Sequence, residues 1–319
     1  MTSAVLTGIR VVEFDAIGPA PFCGMMLADH GASVVRIARP GGQPDALDAG
    51  EHDLLLRGRL AVALDLKDPA GLGHARELIR AADILVEGYR PGVMERLGLG
   101  PDACLADNPR LVYGRVTGYG QSGPLAQHPG HDINFIALSG ALQAMGEPDR
   151  PPAPPLNLLG DFAAGGLMLA FGVLAAHLQA VRTGVGQVVD AAMVDGVALL
   201  MAPFFMALRS GYFSNERGTN LLDSGAPFYD CYACADGRWV AVGALEAPFF
   251  AALLVGLGID PADLGEQHDR TAWPSMRRRF AAAFATRGRD EWSTHLATSD
   301  PQSPPVLTPA ASRFNDIRA

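Results

Sequence analysis

Basic side chains recur where an open α/β sheet would present them to an anion. Arg36 and Arg39 close the second predicted strand. A guanidinium there suits a phosphate, whereas an NAD ribose hydroxyl would call for Asp or Glu; two solvated arginines are the bland alternative. Arg57, Arg59, Lys67, Arg90 and Arg96 fall at further predicted strand ends and loops. In Glu87-Gly88-Tyr89-Arg90-Pro91-Gly92, directly after a predicted strand, Arg90 could pair with a phosphate while the Tyr89 ring packs on a base. Alone, that motif is otherwise a surface loop. Two acid–base groups stand apart from these. His131 lies in Gly130-His-Asp-Ile-Asn-Phe135, and Asp161 follows Gly160 at the start of an apolar helix. Read in isolation, Asp161 is an N-cap and His131 a structural histidine.

The elements that must position these groups alternate. Ile9–Phe14, Ser33–Ile37, Leu60–Leu66, Ile84–Val86 and Leu111–Val116 are short apolar runs that read as buried strands. Phe22–Asp29 reads as a helix stopped at Gly31, and a second helix runs from Asp68 (N-cap) and Pro69 (first position) to about Arg80. Alternation of this kind predicts parallel βαβ units, an α/β fold. Asp161–Gln179 and Val189–Arg209 read as apolar helices broken at Arg182–Gly186. Pro-rich 147–155 is expected to be extended. Phe228–Tyr232 and Arg238–Val242 flank an Asp236-Gly237 hairpin turn, followed by helices at Pro248–Gly258 and Met276–Arg287. The expected division is a large α/β domain, 1–224, and a smaller α+β domain, 225–319.

Composition narrows the classes. The 319 residues correspond to roughly two domains at about 150 each. Hydrophobic residues make up 49% and the net charge is −9, so a large core is expected and nucleic-acid binding is disfavoured. Four scattered cysteines form no disulfide framework. The apolar stretches Ala163–Ala176 and Gly196–Leu208 read as too short to span a bilayer, and the N-terminus lacks a signal-peptide pattern, so a cytoplasmic protein with no membrane partner is expected. The Gly-x-Gly-x-x-Gly fingerprint is absent: Asp15-Ala16-Ile17-Gly18-Pro19-Ala20 puts prolines and side chains where close phosphate approach needs glycines, which disfavours a nicotinamide cofactor. His128-x-x-His131 and Cys231-x-x-Cys234 lack further ligands at suggestive spacing, so no metal is expected; Cys231 and Cys234 read as strand packing, Met201 and Met206 as core.

Read together, the motifs are more specific than any one of them. Gly-Tyr-Arg-Pro-Gly (88–92), Gly-Tyr-Gly-Gln-Ser-Gly-Pro (118–124), Gly-His-Asp-Ile-Asn (130–134) and Gly-Asp-Phe (160–162) stand in order. Gly186–Asp195 and Arg217–Pro227 follow. The set resembles the α-methylacyl-CoA racemase branch of the third CoA-transferase family, which also holds formyl-CoA and carnitine CoA-transferases. The resemblance implies an interlocked homodimer, each chain with a large Rossmann-like domain and a small domain, acting on an acyl-CoA thioester. It implies that Arg36, Lys67, Gly88, Tyr89, Arg90 and Arg96 hold the CoA adenine and phosphates. Gly130, His131, Asp132, Ile133, Asn134 and Phe135 would line the thioester end. It implies His131 and Asp161 as the two catalytic bases, with Glu246 an acidic residue placed near the histidine from the partner chain.

That pairing suits the chemistry. A hydrogen α to a thioester is a weak acid, and racemisation needs a base on each face of the carbon plus stabilisation of the enolate oxygen. Backbone N–H groups around Asp161–Ala164 are the expected donors to that oxygen. No cofactor is needed, CoA being part of the substrate. In the transferase branch the aspartate matching Asp161 instead attacks the thioester and forms an anhydride; a second proton base at His131 favours the racemase. A non-catalytic acyl-CoA-binding protein is the third reading. Two departures stand out. Phe135 lies where racemases often carry Tyr, and the chain stops at Ile317-Arg318-Ala319 where relatives continue back to the large domain.

Overall fold

The computed structural model describes residues 4–41, 53–297, 302–309 and 311–312. The chain divides into two compact units, Met1–Leu142 with Pro154–Pro203, and Gln143–Ala153 with Phe204–Ala319. The division thus falls before the 224/225 boundary read from the sequence, and the proline-rich stretch is largely taken into the second unit. The expected ending at Ile317–Ala319 lies outside the described residues.

In the first unit the strands are β1 (Arg10–Phe14), β2 (Ser33–Ala38), β3 (Arg59–Ala63), β4 (Ile84–Glu87), β5 (Val112–Thr117) and β6 (Gln187–Ala192). They form one sheet in the order β3-β2-β1-β4-β5-β6, each adjacent pair parallel. This is a doubly wound order whose direction of growth reverses between β1 and β4. Helices α1 (Pro19–Asp29), α2 (Pro69–Ala81), α3 (Val93–Arg96), α4 (Pro101–Asp107) and α5 (Asp132–Leu138) follow the strands. A π-helical segment, Leu158–Leu167, runs straight into α6 (Met168–Thr183).

Alternation of side chains along each strand splits the core in two. Val11, Val34, Ile84, Val86 and Val112 face α1 and α6 with Ala20, Leu27, Leu169 and Val173. Val12, Phe14, Ile37, Leu85 and Tyr113 face the other way, against Ala75, Ile79, Met94 and Leu99. The inner strands β4 and β5 are buried at every residue, as parallel strands covered on both faces must be. Asp68 caps α2 by accepting from the N–H groups of Ala70 and Gly71, with Pro69 in the first turn.

Four readings are corrected. Residues 189–192 are the end of strand β6 rather than helix: α6 ends at Gly184 in the left-handed conformation, and Gln187–Ala192 pairs along β5 before α7 (Met193–Leu200) begins. Arg59 is no surface cation: it is buried in an ion pair with Glu13, and only Gly24 on α1 leaves room, since a Cβ there would stand 1.8 Å from Glu13 Oε2. The continuous helix Leu158–Thr183 has 26 residues and is long and apolar enough to cross a membrane, because the π-segment and α6 join; its buried face packs on β5 and β6. Met206 is exposed, not core.

The second unit is entered within α8 (Ala202–Arg209). Strands β7 (Tyr229–Ala233) and β8 (Trp239–Gly243) form an antiparallel hairpin, packed with α9 (Ala247–Leu257), α10 (Trp273–Phe284) and α11 (Arg289–Leu296). Phe228, Tyr232, Val240, Leu253, Phe280, Phe284 and Trp292 make its core; Cys234 belongs to it, while Cys231 is exposed.

Candidate active site

In a parallel sheet the carboxyl ends of all strands lie along one edge, and open α/β sheets bind ligands there, at the reversal point. Every candidate group of the first unit belongs to a segment at that edge. Arg36 lies in the carboxyl half of β2, Lys67 follows β3, Gly88–Arg90 follow β4, and His131 lies in the long connection after β5. Asp161 comes in at the same edge because α6, the crossover from β5 to β6, must start where β5 ends.

Asp132 joins the last two. It is 3% exposed, and its Oδ2 accepts from the N–H groups of Gly160 (2.5 Å) and Asp161 (2.8 Å). A carboxylate capping a helix start is favoured by the positive end of the helix dipole and by donors that lack helical partners. Gly160 makes the approach possible: a Cβ there would stand 2.8 Å from Asp132 Oδ2. His131, the neighbour of Asp132, is the exposed N-cap of α5, where the Asn134 side chain accepts from its backbone N–H at 2.9 Å.

Asp161 is half-buried, and burial pushes its carboxyl above the usual aspartate range. The Asn157 amide, donating to Oδ2 at 3.1 Å, pulls the other way; the Asp132 charge adds to the rise and a positive His131 opposes it. His131 therefore stands within electrostatic reach of Asp161. On the other side Gly18, with φ +72°, leaves space that a Cβ would fill at 3.2 Å from Asp161 Oδ2. Asn157 and Gly18 carried no role in the sequence reading. The signals were a side chain four residues before Asp161 in a helical register and a glycine ahead of Pro19.

The expected oxyanion donors are corrected. The Asp161 N–H is committed to Asp132, and the N–H groups after it lie inside the helical ladder.

Phe135 is also placed differently from an open thioester wall. It is buried, meets Tyr119 edge-to-face at 5.1 Å, and fills volume left by Gly118 and Gly130, where added Cβ atoms would stand 2.2 and 2.7 Å from its ring. The glycine-rich loop 118–123 thus accommodates a ring. Ile133 and Asn134 are exposed on the first turn of α5.

At the β1–β2–β4 end, Arg36 is ion-paired with Asp15, and its Nε is buried without a partner. Tyr89 packs edge-on against Phe14 at 6.2 Å. Burial raises its phenol, the Asp15 and Glu87 charges add to this, and Arg39 and Arg36 oppose it. Asp15, Arg36, Arg39 and Tyr89 are therefore one cluster, and Asp15 was not foreseen in it. Gly88 lies against Ala16 and Ala20, Arg90 and Arg96 are exposed, and Lys67 is exposed beside the α2 cap. Glu246 belongs to the second unit, where it is the exposed N-cap of α9. Among the described residues no group of three or more His, Cys, Asp or Glu is arranged to hold a metal.

The arrangement offers an imidazole and a protonatable carboxyl on segments joined through the Asp132 carboxylate, with cations along the same sheet edge. Comparison with known proteins gives the family. Residues 6–316 match the family described as CoA-transferase family III. The chain is 46% identical over 304 residues to α-methylacyl-CoA racemase of Mus musculus, covering 95% of this chain and 78% of that protein. Identity to the Homo sapiens racemase is 45% over 303 residues, with the same coverage. The crystal structure of a CaiB/BaiF family protein from Brucella suis matches with a TM-score of 0.84 over 100% of this chain and 89% of that one; at 24% identity this speaks for the fold alone. The chain belongs to CoA-transferase family III.

Proposed function

We propose that this chain is an α-methylacyl-CoA racemase, interconverting (R)- and (S)-2-methylacyl-CoA thioesters. One observation carries the reading: Asp132, adjacent to His131, is hydrogen-bonded to the Asp161 backbone N–H, so the backbone segments that carry two proton-transferring side chains are joined at a common point. His131 takes the α-proton of the (S)-epimer, the C–H electron pair moves into the thioester carbonyl to give an enolate, and Asp161 in its acid form returns a proton to the opposite face. The (R)-epimer runs the reverse course. The raised carboxyl of Asp161 suits this exchange, since a group that both accepts and donates works best with a pKa drawn toward the working pH. With the Gly160 and Asp161 N–H groups taken, the enolate oxygen is assigned to the N–H groups of Asp132 and Ile133 in the first turn of α5, which have no intrahelical acceptor.

The CoA nucleotide is assigned to Arg36, Lys67, Tyr89, Arg90 and Arg96. Arg36 exchanges its Asp15 partner for phosphate. Glu246 is assigned to the site of a second subunit in a homodimer. Exposed apolar residues of α6 support an association surface, Phe171 being 73% exposed. Two bases suffice for the reaction, so no cofactor is assigned, and free cysteines support a cytoplasmic location.

The competing transferase reading uses Asp161 as a nucleophile and leaves the proximity of His131 without a purpose. Incubation with a 2-methylacyl-CoA in deuterated water decides between them. The racemase incorporates deuterium at the α-carbon and scrambles its configuration, and His131→Ala impairs exchange from the (S)-epimer far more than from the (R)-epimer. CoA transfer to an added acid without exchange replaces this reading with the transferase. Thioester binding with neither reaction leaves a binding protein.

A further inference from the structure

Beneath the Gly88–Gly92 loop lies a buried charge network that the proton chemistry does not use. Arg115 on β5 is 5% exposed. Its Nε donates to Glu87 Oε1 at 3.0 Å and its Nη1 to Glu95 Oε1 at 2.9 Å. Glu87 ends β4, and its other oxygen accepts the Tyr89 N–H at 2.7 Å. Glu95 lies on α3 next to Arg96. One guanidinium therefore ties the strand end that presents Tyr89 and Arg90 to the helical turn that presents Arg96. Tyr113, two residues back on the same strand, lies under the guanidinium at 5.6 Å and donates to the Leu99 carbonyl at 2.9 Å, securing the far end of the segment. Gln127 donates to the Pro91 carbonyl at 3.2 Å across the middle.

Burying an arginine between carboxylates costs much of what the pairing returns, and apolar packing of similar volume is often as stable. Stability alone is a weak reason for such a network. What it supplies is direction, because a planar fork with two fixed partners allows one arrangement of the elements it joins. We infer that Arg115 and Glu95 are positioning residues for the nucleotide end of the acyl-CoA, setting where Tyr89, Arg90 and Arg96 stand relative to one another; this rests on the functional reading above.

The test is Glu95→Gln in the full chain, chosen because the Glu95 side chain is 44% exposed and glutamine keeps its shape without its charge. Calorimetric titration with free CoA should show a dissociation constant raised about fivefold to tenfold, the size of one lost ordinary hydrogen bond. KM for a 2-methylacyl-CoA rises by the same factor with kcat unchanged. The corresponding pantetheine thioester, which lacks the nucleotide, is handled alike by variant and parent. Arg115→Lys, which keeps the charge without the fork, shows the same split. An unchanged CoA affinity in Glu95→Gln overturns the inference, as does a fall in kcat on both substrates or a change confined to melting temperature. A parent chain that binds no CoA overturns the functional reading and this inference with it.

Discussion

Asp161 is held between opposing influences, and the balance is open to measurement. Burial and the Asp132 charge raise its carboxyl; the Asn157 amide and a positive His131 lower it. A protonated Asp161 cannot accept the α-proton, so exchange from the (R)-epimer falls as pH drops through a midpoint above the usual aspartate range. Asn157→Ala removes a lowering influence and should move that acid limb to still higher pH, in a pH–rate profile of deuterium incorporation. A limb that stays in place would detach Asn157 from the mechanism. His131 and Asp161 were nameable from the motifs that flank them, whereas Asn157 and Gly18 matter only through distances of a few ångströms that no motif encodes.

The π-helical segment Leu158–Leu167 and the start of α5 act as a joined pair of elements, with the Asp132 carboxylate as the joint. A π-turn is wider and less well packed than an α-turn and is found mostly at functional sites. The tolerance of the joint is narrow. Gly160→Ala puts a methyl 2.8 Å from Asp132 Oδ2 and should cost about 1–3 kcal/mol of stability by overpacking. Exchange from both epimers should fall at least roughly tenfold, because small misplacements of reacting groups are expensive. Thermal unfolding and exchange rates together check this; full activity would mean that the joint does not set the geometry. Strands β1 to β5 were legible because each is an apolar run bounded by turn or capping residues. β6 was not, because its half-polar sequence at the sheet edge lies between two apolar helices and is decided by pairing with β5.

For the molecule as a whole, two predictions concern charge and assembly. Glu87 is pushed up to about 7, with burial the main cause. The folded state therefore binds its proton more tightly than the unfolded chain, and this group's contribution to stability falls as pH rises from the ordinary glutamate range to about 7. Glu87→Gln removes that dependence. The stability advantage of the parent over the variant should shrink between about pH 5 and about pH 8, as read from denaturant midpoints; a constant difference would mean that Glu87 is ionised throughout. Sedimentation should show a dimer, and Phe171→Glu, placing a charge on the exposed face of α6, should shift it toward monomer. An unaltered dimer would locate the interface elsewhere.

The sequence by itself determined the α/β class, the sheet's parallel strands and the ordered motifs that mark the family, because apolar periodicity, caps and turn residues act over a few positions. Only the tertiary structure decided which charges meet. Arg59 is a core partner of Glu13, 46 residues away along the chain, and Arg115 binds Glu87, 28 residues away. The Asp132 carboxylate, beside its reading as a substrate contact, caps the helix start at Asp161. Whether an ionisable side chain faces water, ligand or a buried opposite charge depends on which strands become neighbours, and that follows from the packing of the whole sheet.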